Sequence, residues 1–192
     1  MRGFLLGVAL CAGLTASWPM SGHAQVTYPA GEFCLGGWKL WAHSDTTEYQ
    51  NHGLQGSITG NLNRFVGIEM ELGGGTNYPK NPPAYGNRYT FLFGPRFMYR
   101  GNPRLNPFAH VLLGGTHGRQ VAPFFHTTGR TALTAALGGG LDVKVVRFLW
   151  IRVIQVDYLR ESFTGDPQNN LRLSYGVVFR FGSTAKPVKP RG

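Results

Sequence analysis

The sequence predicts an all-β protein: an eight-stranded, antiparallel, up-and-down transmembrane β-barrel. Three observations predict it. The first is the segment LRLSYGVVFRF, where Leu171, Leu173, Tyr175, Val177, Phe179 and Phe181 alternate with Arg172, Ser174, Gly176, Val178 and Arg180. Successive strand side chains point to opposite faces, so one face is apolar to its end and the other carries arginines and small residues. The first face suits lipid and the second a narrow barrel interior. The second observation is a series of eight such segments whose connections alternate between short and long. The third is the lack of any later apolar run long enough to span as a helix. Even residues 145–156 are broken by Arg147, Arg152 and Gln155. A closed barrel is the other architecture that satisfies every backbone group in lipid.

The chain opens with the pattern of a secretory signal peptide. Arg2 is followed by an apolar core over residues 4–14, and Gly22-His23-Ala24 places small residues where a signal peptidase cuts. Cleavage there makes Gln25 the mature start. The core is too short for a spanning helix, which needs about 20 apolar residues. A lipoprotein reading of Cys11 is disfavoured by the bulky Leu10 before it. Removing 24 of 192 residues leaves 168, enough for one domain. Residues 25–182 form the expected barrel and residues 183–192 (STAKPVKPRG) an expected disordered periplasmic tail.

Eight strand candidates follow, at residues 36–43, 54–60, 65–73, 88–100, 108–117, 131–143, 148–159 and 171–181. Their connections at 61–63, 101–106 and 144–147 are short. Those at 44–53, 74–87, 118–130 and 160–170 are long and polar, an asymmetry typical of outer-membrane barrels. In the third candidate Ile68, Met70 and Leu72 oppose Glu69 and Glu71. In the fourth, Tyr89, Phe91, Phe93, Phe97 and Tyr99 share a face with Pro95, while Arg96 and Arg100 lie opposite. Pro95 donates no ladder bond, so a bulge or a missing bond is expected there. The seventh alternates through Ile151, Arg152 and Val153, slips at Ile154, and resumes at Gln155. One extra residue is the mark of a β-bulge. The competing reading places Gln155 or Asp157 toward lipid headgroups at the rim.

Glycine supplies 28 of 192 residues, about twice the usual ~7%. Aromatics at 13% exclude a low-complexity chain, so the glycines are read as bends and crowded interior positions. Cys34 has no intramolecular partner once Cys11 leaves and is read as a small buried residue. Losing Arg2 leaves 18 basic against 9 acidic residues. Secretion argues against nucleic acid as the partner, and part of the excess sits in the tail at Lys186, Lys189 and Arg191.

The segments YTFLFGPRFMYR (from Tyr89), NPFAHVLLGG (from Asn106), LGGGLDVKV (from Leu137), IRVIQVDYL (from Ile151) and NNLRLSYGVVFRFG (from Asn169) resemble the small outer-membrane β-barrel domain family, OmpA-like, of Gram-negative-type bacteria. The resemblance is specific in the C-terminal half and loose before residue 60. It implies eight strands with both chain ends in the periplasm. It also implies that Gly176, Phe179 and Phe181 form the signal read by the barrel-assembly machinery. That signal normally ends the chain, whereas eleven residues follow Phe181.

Charges on inward phases are the main chemical constellation. Lys39, Arg96, Arg100, Arg152, Arg172 and Arg180 are the expected lumen cations, and Glu69, Glu71, Asp142 and Asp157 the expected anions. An isolated charge in a narrow barrel is costly, so pairing is expected, and pairs across the lumen would plug it. Catalytic signals are weak. His43-Ser44-Asp45 holds triad residue types, but neighbours on a strand point to opposite faces. His52, His117 and His126 fall in or beside the long connections and read as solvated side chains. Gly138-Gly139-Gly140 precedes no helix, so it is no phosphate loop, and no HExxH or CxxC is present. No cofactor and no catalytic or metal residues are expected.

The leading expectation is a non-enzymatic, monomeric outer-membrane barrel held in lipid, with a structural or surface-interaction role. A small-solute pore lined by excess arginines is the alternative. A lipid-modifying enzyme requires Ser, His and a carboxylate at one rim. A soluble lipid-binding barrel requires a polar outer face.

Overall fold

The computed structural model describes residues 28–44, 47–78, 85–122, 125–163 and 166–184. Eight strands account for nearly all of them: β1 (Gly31–Ser44), β2 (Thr47–Asn61), β3 (Val66–Tyr78), β4 (Tyr85–Met98), β5 (Leu105–Ala122), β6 (Phe125–Lys144), β7 (Leu149–Phe163) and β8 (Asp166–Phe181). Each pairs antiparallel with the next, and β8 returns to β1, so the sheet closes into a barrel. Following partners from Phe33 through Ile58, Met70, Phe93, Leu113, Ala135, Arg160 and Asn169 leads back to β1 at His43. The closure is therefore staggered by ten residues (33 to 43), and the strands tilt against the barrel axis as such a stagger requires.

The strands are longer than the sequence pattern indicated. Pairing continues to Ser44↔Thr47, Ala122↔Phe125 and Phe163↔Asp166. Most of the connections expected at 44–53, 118–130 and 160–170 are thus ladder, as is much of 74–87. β1 also starts at Gly31, five residues before its expected start at Gly36. Alternation marks only the part of a strand with lipid on one side. Above that level the described residues are polar on both faces, as at Asn87 and Arg88 or Arg160 and Glu161, yet the ladder still satisfies the backbone, so the strand continues without an alternating signature.

The short turns fall where expected, and asparagine builds two of them. Asn63 Oδ1 accepts from the backbone N–H of Phe65 (2.7 Å) and Val66 (2.8 Å). Asn102 Oδ1 accepts from Arg104 (2.8 Å) and Leu105 (3.2 Å). This is asparagine's usual contribution to turns. At Pro95 the β4–β5 partners stop after Phe93↔Leu113 and resume at Arg96↔His110 in the same register. The missing proline N–H thus opens a gap in the ladder without a bulge. A bulge does occur in β7, where the register shifts between Arg152 and Gln155. Val153 and Ile154 both face outward there, and Gln155 and Asp157 face the lumen, fully buried.

At the closing seam Gly36 of β1 pairs with Gly176 of β8. A Cβ on Gly36 would stand 2.0 Å from the Tyr175 carbonyl oxygen, so no larger residue fits that approach. Beyond β8, Gly182 takes a positive φ of 71°. Thr184 then returns to Tyr28, its N–H and its hydroxyl both donating to the Tyr28 carbonyl. Residues 1–24 and 185–192, on which the leader and most of the tail expectation rest, lie outside the described residues.

Candidate functional site in the barrel lumen

The core of this molecule is its lumen, and the outer wall is apolar. Ile151, Tyr175, Val177 and Phe179 stand exposed on the wall. The lumen holds charge. Arg96, Arg152 and Arg172 are only 1–2% exposed, and Glu69, Glu71, Asp142, Asp157 and Glu161 are fully enclosed.

The tier nearest the chain ends is built on Glu32 of β1. It binds Arg100, lies 3.5 Å from Arg180 Nε, and accepts from Asn61 Nδ2 at 3.3 Å. Arg180 stacks 3.7 Å over the Trp150 ring and reaches Asp142 at 3.5 Å. Beside it, Cys34, Trp150 and Val178 form a small buried apolar cluster.

One tier up, Asp142 accepts from Arg96 Nη2 (3.0 Å) and Arg152 Nε (2.9 Å). Both guanidinium groups rest on Phe108, at 3.9 and 4.3 Å from its centroid. Arg96 also reaches Glu69 at 3.5 Å, an ion pair between neighbouring strands β3 and β4. His110 bridges the next step: Nδ1 lies 2.8 Å from Glu69 Oε2 and Nε2 2.9 Å from Asp157 Oδ1. Carboxylate oxygens only accept, so a ring carrying both protons is the form that donates to both. Arg172 closes the chain. Its Nε and Nη2 donate to Asp157 Oδ2 at 2.9 and 2.6 Å, and its Nη1 stands 2.6 Å from Glu71 as an ion pair. Gln155 joins in, accepting from Arg152 at 2.7 Å and donating to Asp157 at 2.8 Å.

Above this network the inward residues turn apolar. Along β5 they read His110, Leu112, Thr116, and along β7 Asp157, Leu159, Glu161. Trp38, Leu40, Leu92, Leu112, Ala136 and Leu159 form one buried cluster. Beyond the apolar tier Glu161 pairs with Arg88 and accepts from Thr116 (3.2 Å) and Asn170 (3.1 Å). Among the described residues the lumen thus holds six arginines (88, 96, 100, 152, 172, 180) and six carboxylates (32, 69, 71, 142, 157, 161), with His110 between two of the latter. Charges buried in this way are tolerated because each has opposite charge within reach.

Nine of the ten expected lumen residues occupy it: Glu69, Glu71, Arg96, Arg100, Asp142, Arg152, Asp157, Arg172 and Arg180. Lys39 does not. It stands on the outer wall beside Leu173, its Nζ 5.1 Å from the Trp41 centroid. The phase of β1 is set by Glu32 and Cys34, which point inward, and starting the strand at Gly36 missed them. Glu32, Arg88, His110 and Glu161 are the participants that sequence reasoning missed. His110 was visible as the inward member of Phe108, His110, Leu112, and Glu161 as the next inward step after Asp157 and Leu159.

Gly176 faces the lumen, while Phe179 and Phe181 face outward near the turn-side rim. His52 and His117 are exposed, on β2 and β5. The side chains of His43, Ser44 and His126, and all of Asp45, lie outside the described residues. Among the described residues, no three His, Cys, Asp or Glu side chains are grouped to hold a metal ion.

No protein-family model and no curated protein matches this sequence. Solved structures do. Neisserial surface protein A superimposes with a TM-score of 0.66 at 12% identity, over 79% of this chain and 97% of that one. The attachment invasion locus protein Ail of Yersinia pestis does so at 0.56 and 17%, over 79% and 99%. The N-terminal barrel domain of Pseudomonas aeruginosa OprF gives 0.50 and 15%, again over 79% and 99%. The chain has the fold of the eight-stranded outer-membrane β-barrels. At these identities the likeness is one of fold, and the wall chemistry agrees with it: lipid-facing side chains outside, charge inside.

Proposed function

We propose that this protein is a non-enzymatic, monomeric outer-membrane barrel whose lumen is closed by its own ion pairs. Its role is structural or in surface interaction, carried by the hairpins opposite the short turns. A signal peptide over residues 1–24 exports it and is cleaved. The assembly machinery reads Gly176, Phe179 and Phe181, and residues 183–192 remain periplasmic.

The observation that carries this reading is the order of the lumen. A network of paired charges fills the turn-side half, and the Leu40–Leu92–Leu112–Leu159 tier covers it. A solute moving through would have to break pairs in a medium of low dielectric and then cross an apolar layer. The excess arginines that favoured a pore are matched once Glu32 and Glu161 are counted and Lys39 is placed outside. Planar-bilayer recording tests the proposal. The wild type should conduct poorly, and joint replacement Glu69→Gln/Glu71→Gln should raise conductance or anion preference. Stable open-pore conductance in the wild type would instead establish a small-solute pore.

A further inference from the structure

The outer wall carries a groove of about 530 Å³ across β3 to β6. Two rows of outward residues make it. One row pairs Leu72, Phe91 and Gly115, and the next pairs Gly74, Tyr89, His117 and Thr131. The aromatics of β4 form a ridge with a glycine notch on either side. These notches are not forced by the backbone. A Cβ on Gly74 would meet its nearest atom, in Tyr89, at 3.6 Å, and one on Gly115 would meet the Ala132 carbonyl oxygen at 3.6 Å, both ordinary contacts. That differs from Gly36, where a Cβ is sterically impossible. Glycine at 74 and 115 leaves space rather than relieving strain.

The wall also changes character along its height. Up β5 the outward residues run Val111, Leu113, Gly115, His117, Arg119. The row level with Arg119 is Asn87 and Gly129, with Thr76 beside Asn87 on β3. His117 is held by a 2.9 Å hydrogen bond between its Nδ1 and Thr131 Oγ1. Apolar groove, then imidazole, then an exposed guanidinium is the order of an acyl chain, an interface and an anionic headgroup. Among the described side chains no carboxylate offsets the cation, since Glu32, Glu69, Glu71, Asp142, Asp157 and Glu161 are all buried in the lumen.

We propose that this groove seats one acyl chain of a phosphate-bearing lipid of the outer leaflet, with the phosphate against Arg119 and His117. The proposal rests on the outer-membrane reading above, which places the β5–β6 hairpin in the outer leaflet.

Native mass spectrometry of the folded full chain in dodecyl maltoside tests it, with lipid A titrated against the same lipid lacking its phosphates. Lipid A should give one saturable adduct, and the dephosphorylated form should bind about tenfold more weakly, a difference of about 1.4 kcal/mol. Gly115→Phe fills the groove and should weaken lipid A binding about tenfold, while Gly60→Phe, on the outer wall at the opposite end, should not. His117→Gln/Arg119→Gln leaves the groove intact and should abolish the preference for phosphate, which keeps the test open should Gly115→Phe fail to fold. Unsaturable binding, equal binding of both lipids, or unchanged binding in the folded variants overturns the proposal. Heat-modifiable gel migration runs alongside. Its absence in the wild type would sink the barrel reading itself, separately from the groove.

Discussion

Arg172 is the residue whose loss should expose how the lumen is held together. It has two carboxylate partners in unequal positions. Asp157 keeps His110 at 2.9 Å and Gln155 at 2.8 Å when Arg172 is removed. Glu71 keeps nothing: Arg172 Nη1, 2.6 Å away, is its one ion-pair partner among the described residues, and both its oxygens lack a directed hydrogen bond. Arg172→Met should therefore cost about 3–5 kcal/mol, the usual penalty for stranding a buried charge. Glu71→Gln should cost only about 1 kcal/mol, because Arg172 still holds Asp157 through two hydrogen bonds. The double variant should be more stable than Arg172→Met alone, since no bare carboxylate remains. The assay is reversible urea unfolding of the barrel from lipid vesicles, read as a double-mutant cycle. Coupling within about 0.5 kcal/mol of zero, the range for independent sites, would refute the claim that Glu71 depends on Arg172.

Three further outcomes are expected. Val177→Arg places a cation on the lipid face of β8 and should destabilise the barrel by about 2–4 kcal/mol, measured in the same unfolding assay; wild-type stability would reverse the facing of that strand. Gly36→Leu drives a side chain into the Tyr175 carbonyl, so the β1–β8 seam should fail to close and heat-modifiable migration should be lost. Tags inserted near Asn81 or Thr127 should be labelled on intact cells, and tags after Gly182 should not; surface labelling of the tail would invert the topology.

The barrel was legible because lipid on one side and packed lumen on the other impose a two-residue period on β3, β4 and β8. Even the β7 slip at Ile154 was readable, since a bulge leaves two consecutive apolar residues on the outer wall. Where one side of a strand stops facing lipid, the signal stops too. That is why the upper hairpins read as loops, and why Glu161, within the connection expected at 160–170, was missed; Arg88 opened the fourth expected strand on the phase of Arg96 and Arg100 and was overlooked there. β1 misled for another reason. Its inward residues Trp38 and Leu40 are apolar and its outward phase carries Lys39, so the hydrophobic pattern alone pointed the lysine inward. The phase was recoverable only from Glu32, below the expected start. Pair identities were never legible. They depend on a stagger of ten residues around the barrel, which brings Arg172 of β8 against Glu71 of β3, strands that are not neighbours.

The charge balance of the lumen also explains where the basic character of the chain resides. Six arginines face six carboxylates inside, so the formal charge of +10 belongs almost entirely to the outer surface and the segments outside the barrel. It divides between the two ends. Arg64, Arg104, Lys144 and Arg147 are exposed on or next to the short turns, where Phe65 and Phe148 stand beside them. Lys39, Arg119, Arg130 and Arg160 lie toward the hairpin end. A wall that is apolar in its middle and cationic at both edges matches a bilayer, whose anionic groups sit at two levels separated by hydrocarbon. The same residues that make the sequence look like a polyanion binder thus border the apolar band at its two edges. Any surface ligand would be met by what remains at the hairpin end once the lipid has taken its share.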